Sequence, residues 1–142
     1  MPNEPDTRTY NYLLLYIEDN AANLALVEQL LDRRKDVKLL SASTGAEGLA
    51  LAFEQQPDAM LLDINLPDIS GLEVLRQVRA HPLTADMPVI ALSSDAFARQ
   101  IEQGIAAGFY RYLTKPFEFA LFLDAVDAAL FKGAQLRLQA QQ

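Results

Sequence analysis

The chain of 142 residues is 51% hydrophobic and 22% charged, which suits one globular domain and is too small for two. It contains no cysteine and a single histidine, His81, which excludes disulfides, thiolate metal sites and multi-histidine metal sites. Its net charge of −7 argues against direct binding to nucleic acid or to an anionic membrane, because the phosphates would be repelled.

Short apolar runs alternate with segments of helical periodicity along the chain. The predicted strands are residues 13–17, 37–42, 58–64, 87–94 and 109–115, and the predicted helices follow them at about 19–34, 44–56, 72–81, 95–108 and 116–133. Asp19 or Asn20 is the expected N-cap of the first helix, and Gly108 the C-cap of the fourth. Five strand–helix units with short connections predict an α/β fold with a doubly wound parallel sheet and helices on both faces.

The domain boundaries follow from the polar ends. We expect a flexible N-terminal tail over residues 1–10, one domain over 11–132, and a C-terminal tail or truncated linker over 133–142. The sequence has no apolar run near the roughly 20 residues that span a bilayer, and its N-terminus lacks the pattern of a signal peptide. The sequence therefore predicts a cytoplasmic protein.

Polar side chains follow four of the five strands, where the carboxyl ends of a parallel sheet form its ligand crevice. Glu18 and Asp19 follow the first strand, Asp63 ends the third, Ser93 ends the fourth, and Lys115 follows the fifth. A single Asp or Ser at a strand end is usually a cap or a turn residue. Three carboxylates, a hydroxyl and an ammonium group at one crevice are hard to explain by capping alone.

The chemistry of this set suggests phosphoryl transfer. Crowded carboxylates need a proton or a cation between them, and an all-oxygen site that keeps positions open for water and phosphate suits Mg²⁺. A metal held by Glu18, Asp19 and Asp63 could bridge to a phosphoryl oxygen, while Lys115 and the hydroxyl of Ser93 bind the others. Asp63 would then be the nucleophile and would form an aspartyl phosphate.

The segments YIEDN, LLDINLPDISG, PVIALSS and YLTKPF, in this order and spacing, resemble the receiver domain of two-component response regulators. The resemblance extends from about residue 13 to residue 131. It implies a flavodoxin-like fold of strand order 2-1-3-4-5, and Mg²⁺-dependent phosphorylation of the central aspartate by a phosphohistidine. The Lys115–Pro116 bond is typically cis in this family.

The resemblance also assigns roles to individual residues. It implies that Glu18 and Asp19 are the metal-binding acidic pair, that Asp63 is the phosphoacceptor, and that Asn65 supplies a backbone carbonyl to the metal. It further implies that Ser93 is the switch hydroxyl, Tyr112 the switch aromatic and Lys115 the phosphate-pairing lysine. Asn65 and Asp95 match positions that flank the phosphoryl group, and their small polar side chains predict a short-lived phosphorylated state.

The expected partners follow from the same resemblance. They are a histidine kinase or a histidine phosphotransfer protein, and a downstream protein or kinase domain that reads the face formed by the fourth helix, fifth strand and fifth helix. We expect a signalling phosphoacceptor domain, not an enzyme, which assists only its own phosphorylation and dephosphorylation. A stand-alone regulator and a receiver from a hybrid sensor kinase both stay open.

The last predicted helix suggests a docking or dimerisation surface. Phe119, Phe122, Leu123, Val126 and Leu130 form one apolar stripe at helical spacing, expected to face the sheet. Leu121, Ala125 and Ala128 form a second stripe, expected to face away from it and to be extended by Phe131. The alternative is that the alanines are only good helix formers.

Two other functions share this architecture. A phosphatase of the haloacid dehalogenase type also uses an aspartate at a strand end, but it needs a second aspartate two residues on, where this chain has Asn65. A flavodoxin-like binding module would need a phosphate-binding loop after the first strand, where Glu18 and Asp19 would repel the ligand.

Overall fold

The computed structural model describes residues 10–94, 97–116 and 118–140. Its elements in chain order are β1 (Tyr12–Ile17), α1 (Ala21–Leu31), β2 (Val37–Ala42), α2 (Gly45–Gln55), β3 (Ala59–Asp63), α3 (Gly71–Ala80), β4 (Val89–Ser93), α4 (Ala98–Ala107), β5 (Arg111–Thr114) and α5 (Phe119–Ala140). All strands pair in parallel, in the order β2-β1-β3-β4-β5. The predicted fold class and strand order are confirmed.

Two hydrophobic clusters cover the two faces of the sheet. Residues of α2 and α3, among them Leu49 and Leu75, pack on one face. Residues of α1 and α5, among them Val27 and Phe122, pack on the other. Every residue of β3 and β4 is buried, which explains why their sequences are continuous apolar runs instead of alternating ones.

Polar residues begin and end the helices as their chemistry predicts. Asn20, not Asp19, caps α1, and its side chain accepts a hydrogen bond from the N–H of Asn23, which leaves Asp19 free for another role. Gly108 ends α4 in the left-handed region with a φ of 119°, as predicted. His81 ends α3, where its Nδ1 accepts a hydrogen bond from the N–H of Leu83 and its ring stacks on Phe53.

The sequence-based account of α5 needs correction. The predicted tail or linker over residues 133–142 is helical as far as Ala140, and Gly133 and Ala134 are buried. The reason is tertiary: Gly133 packs against the backbone of Asp58, and one turn later Nε of Arg137 lies 3.1 Å from Oδ1 of that buried carboxylate. Although α5 has 22 residues, neither it nor any other described helix is both long and apolar enough to cross a membrane.

The two predicted stripes of α5 are also partly wrong. Phe119, expected in the core, is 54% exposed, whereas Ala125, expected on the outer stripe, is buried in the cluster beneath the helix. Leu121 and Phe131 are exposed as expected. Because Ala125 lies inward, the outer apolar residues do not form the continuous stripe from Leu121 to Ala128 that helical spacing alone suggested.

Candidate functional site

Three carboxylates converge at the carboxyl end of the sheet. Glu18 directly follows β1 and Asp63 ends β3, the neighbouring strand, and both are buried, while Asp19 is exposed. Each of the three offers a carboxylate oxygen within 4.8 Å of those of the other two. The sheet brings them together because β1 and β3 are adjacent and in parallel register, with Ile17 beside Leu62.

Lys115, which follows edge strand β5, supplies a positive charge beside these carboxylates. Its Nζ lies 3.3 Å from Oε1 of Glu18 and 3.4 Å from Oδ2 of Asp63. The backbone N–H of Lys115 donates a 2.7 Å hydrogen bond to the carbonyl of Ser93, so β4 fixes where this lysine leaves β5. The Lys115–Pro116 peptide bond is cis, as the resemblance implied.

The pKa values of the two buried carboxyl groups at the site are shifted in opposite directions. Burial is the main reason that the pKa of Glu18 is raised, and the neighbouring Asp63 raises it further. Burial also opposes the ionisation of Asp63, but its interaction with the Glu18 carboxyl group, the hydrogen bond from the N–H of Asn65 and the charge of Lys115 outweigh it and lower its pKa. Of the two crowded carboxyl groups, Glu18 is therefore the weaker acid and Asp63 the stronger.

The donor set is suited to a hard cation. Oε2 of Glu18 is buried and has no hydrogen-bond partner among the described residues. A buried charged oxygen in that state is costly, and a cation at the acidic cluster would satisfy it. All the candidate ligand atoms are carboxylate or carbonyl oxygens, which favour Mg²⁺ over softer metals. The direction of the Asn65 carbonyl stays a prediction.

Two further predicted residues lie on the neighbouring strands. Ser93 is buried at the end of β4, and β4 borders both β3 and β5. Tyr112 is half-buried on β5, where its ring meets that of Phe109 edge-on with centroids 6.3 Å apart. Gly104 of α4 makes room for this ring, because a Cβ there would lie 2.7 Å from Cδ2 of Tyr112. Asp95 and Phe117 lie outside the described residues.

Comparison with known proteins decides the family. The sequence model of the response regulator receiver domain matches residues 14–127, which is most of the chain. This chain belongs to that family. The receiver domain is 31% identical over 117 residues to the polar-differentiation response regulator DivK of Brucella ovis, with 82% of this chain and 94% of DivK covered.

Two other relatives extend the comparison. The transcriptional regulatory protein PrrA of Mycobacterium tuberculosis is 36% identical over 125 residues, covering 88% of this receiver domain but only 52% of PrrA, so the chain spans about half of that relative. The receiver domain of the sensor histidine kinase PA1611 of Pseudomonas aeruginosa, whose structure holds a magnesium ion in the active-site cleft, superposes with a TM-score of 0.75 at 29% identity. That superposition covers 84% of this chain and 98% of the other. These findings give no support to the phosphatase or flavodoxin-like alternatives.

Two residues near the site were missed by the sequence-based reasoning. Tyr16 is buried in β1 and its hydroxyl donates a 3.2 Å hydrogen bond to Oε1 of Glu18. Asp68 accepts hydrogen bonds from the N–H groups of Gly45 and Ala46, which pins the β3–α3 loop to the start of α2. Strand alternation places Tyr16 and Glu18 on one face and could have indicated the first contact. The contact of Asp68 depends on packing between distant segments.

Proposed function

We propose that Asp63 is the phosphoacceptor of this receiver domain and takes a phosphoryl group from the phosphohistidine of a histidine kinase or a histidine phosphotransfer protein. The observation that carries this proposal is the position of Asp63 at the end of central strand β3, with Lys115 Nζ 3.4 Å from Oδ2. A carboxylate oxygen attacks phosphorus as the P–N bond to the imidazole breaks, and the departing nitrogen keeps the electron pair of that bond.

Glu18, Asp19, Asp63 and the backbone carbonyl of Asn65 would hold Mg²⁺. The metal, when bound, supplies positive charge to the phosphoryl oxygens. The chain's own contribution is to hold the ligands in place: the N–H of Asn65 donates a 2.9 Å hydrogen bond to Oδ1 of Asp63 and so orients the acceptor carboxylate. Oε2 of Glu18, which has no hydrogen-bond partner in the described ranges, and the hard oxygen ligands support this assignment.

Lys115 and Ser93 would bind the new phosphoryl oxygens and convert phosphorylation into a change of shape. An aspartyl phosphate adds negative charge and acceptor oxygens, which draw the Ser93 hydroxyl and the Lys115 ammonium group toward it. The ring of Tyr112 then moves into the space that Ser93 vacates. Tyr112 contacts α4 through Gly104, so its movement alters the surface formed by α4, β5 and α5.

That surface is the proposed output face. We infer that it contacts a downstream protein or kinase domain, and that a homodimer through it is a second candidate. In this account the domain contacts neither nucleic acid nor membrane directly and works in the cytoplasm. It is a signalling phosphoacceptor that assists its own phosphorylation and dephosphorylation, not an enzyme acting on other substrates.

The direct test is incubation with acetyl phosphate and Mg²⁺ followed by intact-mass measurement. We expect one added phosphoryl group on the wild-type chain and none on Asp63→Asn. The matched control is Asp124→Asn, the same change at an exposed position on α5, which should be modified normally. Modification that persists in Asp63→Asn, or that needs no divalent cation, would contradict the proposed site.

A further inference from the structure

Tyr16 places a phenol directly beneath the acidic cluster. It is the fifth residue of β1, fully buried, and packs in the same cluster as Val27 and Phe122. Alternate residues of a strand face the same side, so its side chain lies next to that of Glu18. Its hydroxyl donates a 3.2 Å hydrogen bond to Oε1 of Glu18.

The two carboxylate oxygens of Glu18 differ in their contacts. Oε1 accepts from the Tyr16 hydroxyl and also lies 3.3 Å from Lys115 Nζ. Oε2 is buried and has no hydrogen-bond partner in the described part of the chain. The carboxylate is thus held through one oxygen, and the other is left for a ligand. A phenol is a hydrogen-bond donor at neutral pH, so the Tyr16 hydroxyl can hold this oxygen.

A hydrophobic core does not by itself require this hydroxyl. Phenylalanine would fill the same volume between α1 and α5, and a phenol gains nothing from burial unless it is hydrogen-bonded. Carboxylates that bind metals are commonly held by a second hydrogen bond, and its loss typically weakens metal binding about 10- to 100-fold. The hydrogen bond from Tyr16 to Glu18 is of this kind.

We propose that Tyr16 is a positioning residue for the metal site: its hydroxyl orients Glu18 so that Oε2 faces the divalent cation. The inference rests on the proposed function only in assuming that Glu18 is a metal ligand. It requires neither phosphorylation of Asp63 nor any particular partner. The plain alternative is that Tyr16 is a core residue whose hydroxyl simply uses the nearest acceptor.

Tyr16→Phe separates these two explanations because it removes one oxygen and preserves the packing. Tyr12→Phe is the matched control: it is the same change on the same face of the same strand, at the end far from the site. Mg²⁺ affinity is measured by calorimetric titration of each full chain. We expect the Mg²⁺ dissociation constant of Tyr16→Phe to rise about 10-fold or more and that of Tyr12→Phe to stay within twofold of wild type.

A second measurement tests whether the effect passes through Glu18. Glu18→Asp keeps a carboxylate at the cluster but shortens the side chain by one C–C bond of about 1.5 Å, which takes it out of reach of the hydroxyl. In that background, Tyr16→Phe should no longer change Mg²⁺ affinity. An undiminished loss there would mean that Tyr16 acts through general packing, and would overturn the proposal.

Phosphorylation kinetics provide a separate readout. With acetyl phosphate, Tyr16→Phe should need more Mg²⁺ for half-maximal phosphorylation but reach nearly the wild-type rate at saturation. Unchanged Mg²⁺ affinity in Tyr16→Phe refutes the positioning role, whatever the phosphorylation result. Wild-type chain that binds Mg²⁺ but takes no phosphoryl group would instead refute the proposed function and leave the calorimetric test of Tyr16 valid.

Discussion

Gly133→Ala is the substitution for which helix propensity and tertiary packing predict opposite results. Gly133 lies within α5, and replacing glycine by alanine inside a helix normally stabilises by about 1 kcal/mol. Had residues 133–142 formed a tail, as the sequence suggested, the change would be nearly neutral. The structure predicts instead that it is strongly unfavourable.

The reason is the close approach of α5 to the start of β3. A Cβ at position 133 would overlap the carbonyl oxygen of Asp58 and lie 2.6 Å from its carbonyl carbon, whereas carbon atoms in contact are normally about 3.5–4.0 Å apart. Both partners are backbone, so at least about 1 Å of movement must come from the helix or the strand. Overpacking typically costs about 1–3 kcal/mol, and this case belongs at the upper end or above.

The net loss of stability, after the gain in propensity, is about 2–3 kcal/mol. For a domain of this size it corresponds to a fall in Tm of roughly 10 °C. Thermal unfolding followed by circular dichroism measures it, with Gln135→Ala, an exposed neighbour on the same helix, as the control expected to change little. A Tm for Gly133→Ala equal to or above that of wild type would refute the packing of α5 described above.

Three other predictions concern the site. Lys115→Ala should still bind Mg²⁺ but transmit phosphorylation poorly, since its ammonium group is assigned to the phosphate; loss of metal binding in calorimetry would contradict that division. Because the pKa of Glu18 is raised, Mg²⁺ binding near that pKa should displace a proton from it, and the affinity for Mg²⁺ should fall as the pH drops through that raised pKa. Calorimetric titrations in two buffers of different ionisation enthalpy should then give different heats of Mg²⁺ binding. Identical heats would count against proton displacement. The small polar side chains at Asn65 and Asp95 should let water reach the acyl phosphate, so a modification of Asp63 that survives overnight dialysis with Mg²⁺ would show that this reasoning is wrong.

The sequence predicted secondary structure correctly where the local pattern of apolar residues and glycines decides it. The continuous apolar runs of β3 and β4 predicted buried strands because both faces of a parallel sheet are covered. The glycine after α4 predicted its end because a positive φ suits glycine best. The same patterns failed on α5, since a helical stripe shows which residues share a face but not how far around the helix its neighbours reach.

In the functional site, too, some contacts follow from the sequence pattern and others depend on tertiary packing. The meeting of Asp63 and Lys115 could be predicted from the sequence, although 52 residues separate them, because the carboxyl ends of parallel strands lie at one edge of the sheet. Two features could be seen only in the tertiary structure: Asp68 pins the loop after β3 to α2, and α5 continues past Gly133. These depend on side-chain directions and ångström-scale gaps between segments distant in the chain, and such distances leave no period in the sequence to be read.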